Sequence, residues 1–306
     1  MVISKVLRER DIMRITVFTP TYNRGYIIGK LYESLCRQTF QDFEWIVVDD
    51  GSTDDTESLF QAYLQDNPGF PIRYIKRENG GKHRAINLGV QKASGELFFI
   101  VDSDDYLTDD ALASISAYEC TIPAEEKNHY AGVCGQKGYS SEIAIGKTFV
   151  GETLNITTLE RPVYGITGDK SEVFYTDILK KYPFPEINGE KFITECVVWD
   201  KIAADGYKLR FFNRIVMICN YLSDGLTAQG NALFRKNPRG WGLYIAQSVE
   251  YGKITGFDKW KVYLDYFYGT RGNLTFRCMA MQLQVSPVRL WIRLFGMRVF
   301  YKLYSR

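Results

Sequence analysis

The sequence of 306 residues has few residues that bind soft metals or form disulfides. It contains only two histidines, His83 and His129, and its six cysteines form no C-x-x-C pair. A zinc site built from histidine and cysteine is therefore not expected, and any metal ion would have to be bound by oxygen ligands. A chain of this length that is not dense in cysteine also favours a reduced, cytoplasmic compartment.

The sequence also lacks a strong net charge and long apolar runs. The net charge of +2 does not favour a nucleic-acid partner. No stretch of about 18 apolar residues predicts a membrane-spanning helix. The first residues, MVISKVLRERD, are too short and too charged for a secretory signal, so residues 1–12 are expected to form a leader.

The first hundred residues alternate between short apolar runs and helical periodicity. Strands are predicted over 14–19, 44–50, 71–76 and 96–102, and helices over 26–36, 54–65 and 82–93. This alternation predicts an α/β fold with a parallel sheet covered on both faces. Ligands of such sheets bind beyond the carboxyl ends of the strands, which is where the clusters TPTYNR, DDGS and DSDD lie.

The rest of the chain has a looser pattern. Segments 130–150 and 208–221 resemble strands, and 194–205 reads as a helix that ends before Gly206. From about residue 231 onward the chain is predicted to be helical and basic.

Three acidic residues crowd the turn after the fourth predicted strand: Asp102, Asp104 and Asp105. Their carboxylates repel one another unless a cation or solvent relieves the repulsion. A hard divalent cation shared with a substrate diphosphate fits this turn. An ordinary solvated acidic turn before the next helix explains the same residues.

Two further clusters allow both a binding and a structural interpretation. Asp49 or Asp50 could accept hydrogen bonds from a nucleobase or a ribose, although strand-to-helix connections favour the same residues. In NGGKHR, residues 79–84, two glycines open a helix whose N–H groups and cationic side chains could meet phosphates. The segment matches neither the P-loop nor the dinucleotide fingerprint.

Taken together, these clusters resemble the family 2 glycosyltransferases. The similarity runs over residues 14–112, with a weaker continuation to about residue 225. It rests on six motifs in order: TPTYNR (19–24), QTFQDFE (38–44), VDDGSTD (48–54), NGGKHRAINLG (79–89), ASGE (93–96) and DSDD (102–105).

The resemblance implies an A-type glycosyltransferase fold, with a mostly parallel sheet flanked by helices and a C-terminal helical region. Together with the sequence pattern, it divides the chain into an expected leader (1–12), a nucleotide-sugar-binding half (13–115), an acceptor-binding half of the same domain (116–230) and a helical, basic region (231–306). The resemblance also implies an inverting transfer of a sugar from a nucleotide-sugar, with UDP favoured, to a saccharide or lipid-linked saccharide acceptor, in the synthesis of cell-surface polysaccharide or glycan.

The resemblance further implies which residues bind the donor and the metal. Pro20, Thr21 and Tyr22 would border the nucleobase, and Mn²⁺ or Mg²⁺ would bridge the diphosphate at Asp104 and Asp105. The donor-binding set expected from the motifs is Pro20, Thr21, Tyr22, Arg24, Asp50, Gly81, Lys82, Arg84, Asp102, Ser103 and Asp104.

The resemblance places the catalytic base at an acidic position before a later helix. Glu195 occupies that position here, although Cys196 stands where the family often has a second acid. Asp200 is the alternative base.

The C-terminal segment 288–306 contains five basic residues and no acidic one, interleaved with aromatic residues. It is consistent with an interfacial helix that contacts the inner membrane face, and equally with a terminal helix that packs on its own domain.

Three other functions stay open. A sugar nucleotidyltransferase uses a related sheet, and a non-catalytic module could bind the sugar or the nucleotide. A dehydrogenase is disfavoured because no G-x-G-x-x-G follows the first strand.

Overall fold

The chain forms a central sheet flanked by helices, followed by a C-terminal group of helices. Segments with strand periodicity alternate with segments with helical periodicity in the part of the sequence that forms the sheet. The computed structural model describes residues 13–220, 222 and 224–304, with the backbone alone for 227 and 297–304. The expected leader and residues 305–306 lie outside the described residues. Within the described residues the strands are β1 (Ile15–Thr21), β2 (Phe43–Asp49), β3 (Ile72–Lys76), β4 (Leu97–Ile100), β5 (Tyr106–Leu107), β6 (Tyr130–Gly138), β7 (Thr153–Ile156), β8 (Lys170–Tyr175) and β9 (Lys208–Ile218).

The helices cover both faces of the sheet and then continue into the C-terminal region. Those of the described residues are α1 (Gly29–Cys36), α2 (Thr56–Asp66), α3 (Lys82–Lys92), α4 (Ala111–Cys120), α5 (Thr176–Lys181), α6 (Cys196–Ala204), α7 (Gly230–Lys236), α8 (Pro238–Glu250), α9 (Gly256–Thr270), α10 (Phe276–Gln282) and α11 (Pro287–Tyr304). None of them combines the length and the apolar composition that crossing a bilayer requires.

The parallel sheet predicted for the first hundred residues is present. β3, β2, β1 and β4 lie side by side in that order, and all three pairings are parallel. Every residue of β1 and β2 is buried, as expected for strands with helices on both faces. One apolar core holds residues of α1, α2 and α4, and the opposite face packs on α3, α5 and α6.

The second half of the sheet is mixed. β8 runs antiparallel to both β4 and β6, so β6 runs in the same direction as β4. β9 is parallel to β6, and its carboxyl end therefore lies at the same edge of the sheet as the ends of β1, β2 and β4. The strand predicted over 130–150 ends at Gly138, because the chain turns back there and forms a bridge with Ala144. The edge that carries the three polar clusters TPTYNR, DDGS and DSDD thus also receives the residues that follow β9.

The C-terminal helices form a third apolar core. Trp241, Tyr263 and Tyr266 are buried between α8, α9, α10 and α11. The predicted helical character of this region is confirmed, whereas the division of the chain into 13–115, 116–230 and 231–306 stays a prediction.

Candidate active site

The turns after β1 and β2 are joined by hydrogen bonds. Asn23, whose φ is +53°, donates its N–H to Ser52 Oγ at 2.8 Å, and its Oδ1 accepts the N–H of Thr53 at 2.8 Å. Pro20 and Thr21 belong to β1 and are buried, whereas Tyr22 is about half exposed. Of the three residues expected to border a nucleobase, Tyr22 therefore has the accessible ring.

The Asp50 carboxylate organises the start of α3. Its Oδ1 and Oδ2 accept the N–H groups of Gly80 at 2.9 Å and Gly81 at 2.6 Å. Gly81 has a φ of +97°, and a Cβ at this position would lie 1.9 Å from the carbonyl oxygen of Lys191. Only glycine satisfies both conditions. Asp50 thus fixes the loop that presents Lys82.

Lys82 joins two carboxylates that are far apart in the sequence. Its Nζ lies 2.7 Å from Asp102 Oδ1 and 2.8 Å from Glu195 Oε1, and all three side chains are at most one third exposed. Burial lowers the pKa of Lys82, but the charges of Asp102 and Glu195 outweigh it and raise the pKa above its usual range. Burial likewise raises the pKa of Asp102, and Lys82 outweighs it and leaves the pKa below its ordinary value. The structure thus brings the expected donor acid and the expected base to one ammonium group.

The other two acids of the turn differ in their surroundings. Burial, followed by the charge of Asp102, raises the pKa of Asp104. Asp105 is almost fully buried, and burial raises its pKa to about 6. Its oxygens accept the N–H of Asn220 at 3.2 Å and contact Cys219 Sγ at 3.3 Å, at the end of β9. Asp104 is therefore the more accessible acid, and Asp105 is directed toward the residues after β9.

Ser103, between these acids, is buried, and Arg24 lies near Asp104. Arg24 pairs with Asp224, which also accepts the hydroxyl of Tyr26 at 2.9 Å. Asp104 is close enough to raise the pKa of Arg24, after the larger effects of burial and of Asp224. Arg24 thus contributes positive charge beside Asp104.

Arg84 has a different set of partners from the other members of the expected donor site. Its Nη1 donates to the carbonyl oxygens of Gly80 at 2.5 Å and Glu190 at 2.6 Å, and its Nη2 donates to that of Ile187 at 2.7 Å. These bonds hold the segment that leads to Glu195. A role of Arg84 in donor binding stays a prediction.

The segment before Glu195 is also held by the C-terminal helices. The Glu190 carboxylate accepts the N–H groups of Arg239 and Gly240 at 2.8 Å each, at the start of α8. A carboxylate at that end of a helix also interacts favourably with the helix dipole. Lys191 donates its N–H to Asn237 and its Nζ to Asn79, each at 2.8 Å. The C-terminal region is thus hydrogen-bonded to the segment that positions the candidate base.

Glu195 immediately precedes α6, and the alternative base lies elsewhere. Asp200 is buried, and its Oδ2 is 2.5 Å from Lys253 Nζ. Of the two, Glu195 alone contacts Lys82.

Sequence reasoning did not find Glu190, Lys191 or Asp224. The polar turn Gly189–Lys191 before a helix is a weak signal for the first two. Asp224 has no local signal, because its partner Arg24 lies 200 residues earlier.

A metal ion at this site would be bound by only a few protein side chains. Within the described part of the chain, no three His, Cys, Asp or Glu side chains are grouped so that they could hold a metal ion. Mg²⁺ commonly uses one or two carboxylates together with substrate phosphates. Asp104, with Asp105 beside it, fits such a partial ligand set.

Comparison with known proteins agrees with this geometry. Residues 16–136 match the model of "Glycosyl transferase family 2". The chain is 30% identical over 192 residues to the GalNAc(5)-diNAcBac-PP-undecaprenol beta-1,3-glucosyltransferase of Campylobacter jejuni. That alignment covers 61% of this chain and 58% of the relative, so the chain spans less than two thirds of the relative's length.

Two solved structures resemble the whole chain. The structure of residues 1–349 of Staphylococcus aureus TarS in complex with UDP-GlcNAc has a TM-score of 0.58 at 17% identity, over 94% of this chain and 92% of that one. The Pyrobaculum calidifontis mannosyltransferase PcManGT in complex with GDP-Man and Mn²⁺ has a TM-score of 0.53 at 17% identity, over 96% of this chain and 88% of that one. The A-type glycosyltransferase fold is thereby confirmed. Residues 16–136, which include Asp50, Lys82 and the acidic turn, are the part of the chain that matches glycosyl transferase family 2.

Proposed function

We propose that the chain transfers a sugar from a nucleotide diphosphate sugar, with UDP as the preferred nucleotide, to an acceptor hydroxyl with inversion of configuration. The observation that carries this proposal is the contact of Lys82 with both Asp102 and Glu195. It supports a single cleft in which a donor acid and a base lie close enough to act on one substrate pair.

The donor half of the proposal rests on the edge formed by β1, β2 and β4. The exposed ring of Tyr22 is available to stack on a nucleobase, and the buried Asp50 fixes the Gly80–Gly81 loop at the same edge of the sheet. Lys82 and Arg24 supply positive charge near a diphosphate, and the first turn of α3 adds its dipole. UDP is the preferred nucleotide of the proposal because the TarS structure, which has the higher TM-score of the two, contains UDP-GlcNAc; the GDP-Man in PcManGT makes GDP the alternative.

We also propose a divalent cation, Mn²⁺ or Mg²⁺, held by Asp104 with Asp105 beside it. The pKa of each is raised by burial and by neighbouring acids, so a bound cation would offset repulsion that the protein leaves in place. When bound, the ion supplies charge neutralisation for the departing diphosphate.

The transfer itself needs one base and no covalent enzyme intermediate. The Glu195 carboxylate accepts the proton of the acceptor hydroxyl as that oxygen forms a bond to the anomeric carbon. The bond from the anomeric carbon to the diphosphate oxygen breaks on the opposite face, and the nucleoside diphosphate leaves with the electron pair. One displacement of this kind inverts the anomeric configuration.

The acceptor is proposed to be a saccharide or a lipid-linked saccharide of cell-surface polysaccharide synthesis. The name of the C. jejuni relative specifies an undecaprenol-linked acceptor. The edge where β6 and β9 end provides the surface next to Glu195 on which such an acceptor would lie.

The test measures release of the nucleoside diphosphate from a panel of nucleotide-sugars with Mn²⁺, beside donor binding by calorimetry. Glu195→Gln is expected to retain donor binding and to lose about 10²–10⁴-fold in turnover, the range for general-base catalysis. Asp104→Asn and EDTA are each expected to abolish turnover. The controls Asp109→Asn and Glu142→Gln change exposed acids and should retain full activity.

Three results would contradict the proposal. Full activity of Asp104→Asn would exclude its role with the cation. Release of pyrophosphate from a nucleoside triphosphate would identify a nucleotidyltransferase instead. Donor binding without turnover, unchanged in Glu195→Gln, would identify a binding module.

A further inference from the structure

Helix α11 buries one face and exposes another that is apolar. Leu290 and Leu294 are almost fully buried in the C-terminal core. On the other side Val288, Trp291, Ile292 and Phe295 are each 56–70% exposed. Their spacing of three and four residues places them on one helix face, which we call the α11 stripe. Trp291 and Phe295 stack on each other at 5.6 Å, so the stripe is a continuous apolar surface.

Basic residues border the α11 stripe. Arg289 and Arg293 are exposed, and the helical repeat places both of them on the side of α11 between the stripe and the buried face. They line a depression of about 340 Å³ together with Ser286, Val288 and Ile292. The Arg293 guanidinium also lies 5.2 Å from the ring centre of Trp260, which holds it beside the depression.

The charged residues in the sequence around the stripe are all basic. Residues 271–306 contain seven Lys and Arg residues and no Asp or Glu. A pair of chains related by a two-fold axis through this face would bring Arg289 and Arg293 of both copies together, which opposes self-association. An anionic surface gains from the same cations.

We propose that the α11 stripe binds an anionic phospholipid surface. The four apolar side chains enter the boundary between headgroups and acyl chains, and the two arginines bind headgroup phosphates at the depression. This binding is independent of the proposed sugar transfer, since it uses neither the donor site nor Glu195.

The test is co-sedimentation of the full chain with vesicles of phosphatidylcholine, with and without phosphatidylglycerol. The wild-type chain is expected to sediment with the vesicles that contain phosphatidylglycerol, and high salt should release it. Arg289→Gln with Arg293→Gln should weaken this binding about 30-fold, because each basic residue near an anionic surface contributes about 1 kcal/mol. Trp291→Ser with Phe295→Ser should weaken it at least ~10-fold.

Matched controls separate the stripe from general surface effects. Val150→Ser with Val163→Ser removes two exposed apolar side chains elsewhere, and Lys92→Gln with Lys208→Gln removes two exposed charges. Both double variants should bind as the wild type does. All the substituted side chains are exposed, so equal thermal midpoints are expected and would show that the fold is intact.

Two outcomes would overturn the proposal. One is that the wild type and Trp291→Ser with Phe295→Ser bind the vesicles equally, or that neither binds them. The other is a wild-type dimer in sedimentation velocity that Trp291→Ser with Phe295→Ser converts to monomer, which would make the stripe an interface between copies.

Discussion

Replacement of Lys82 by methionine tests whether one ammonium holds the candidate site together. The change keeps an unbranched side chain and removes the charge that contacts Asp102 and Glu195. The two carboxylates then face each other, with Asp104 close enough to add to the repulsion. We expect the folded chain to lose stability and the two carboxylates to separate.

The size of the effect follows from exposure. Removing one partner of a fully buried ion pair costs about 3–5 kcal/mol, whereas exposed pairs contribute about 0–1 kcal/mol. Lys82 is 20% exposed and its partners 32–33%, so Lys82→Met is expected to cost about 2 kcal/mol, between these limits.

The loss should depend on pH with a definite sign. A carboxyl group with a lowered pKa, as in Asp102, stabilises the folded chain above its unfolded pKa of about 3.9, and this contribution disappears as the pH falls through the folded pKa. A lysine with a raised pKa, as in Lys82, contributes below its unfolded pKa of about 10.4 and loses the contribution at higher pH. The difference between wild type and variant should therefore be full from about pH 5 to pH 10 and shrink below about pH 4.

The assay is urea unfolding of the wild type, Lys82→Met, Glu195→Gln and the double variant. Direct contact predicts a coupling energy of about 0.5–3 kcal/mol in this cycle. Lys82→Arg keeps the charge and should recover most of the stability. The control Lys76→Met breaks an exposed pair with Glu57 and should cost at most about 0.5 kcal/mol. Additive effects of Lys82 and Glu195, or a deficit that does not change with pH, would refute the reasoning.

Two further predictions concern α3. Burial, followed by the charge of Arg84, lowers the pKa of His83 to about 4. As the pH falls from about 6.5 to about 4, the free energy of unfolding of the wild type should therefore decrease by up to about 1.4 kcal/mol per pH unit. The variant His83→Leu should not show this decrease. Thermal melts across that range, with His129→Leu as the control, measure it, and equal slopes for both variants would contradict it. Gly81→Ala should displace the segment before Glu195, and should therefore lower both donor affinity and stability. The control Gly151→Ala also lies at positive φ but has open space around it, so it should lose only the smaller amount of stability that backbone strain costs. Calorimetry and unfolding check this pair, and equal losses would mean that the contact with Lys191 is unimportant.

Apolar periodicity was sufficient to predict the parallel half of the sheet and the helices around it. The strand predicted over 44–50 is shifted by one residue from β2, and the strand predicted over 71–76 begins one residue before β3. Parallel strands place their carboxyl ends at one edge, so the position of Asp50 and of the acidic turn at the same edge of the sheet could also be predicted. The helix that begins after Glu195 was predicted within two residues.

The partners of individual side chains were decided only by the tertiary structure. Lys82 meets Glu195 because β8 returns antiparallel and carries the following loop back to α3. The sequence predicts that Arg84 binds phosphate. Only the fold shows that its guanidinium donates to three carbonyl oxygens. Asp105 is directed away from its neighbours because β9 ends beside it.

The same division holds for α11. The sequence determines a basic helix with apolar residues on more than one side, because composition and period are local properties. Packing against α9 and α10 decides that Leu290 is buried and that Trp291 stays exposed. Contacts between distant segments depend on which surfaces the whole fold brings together, and no short stretch of sequence encodes that choice.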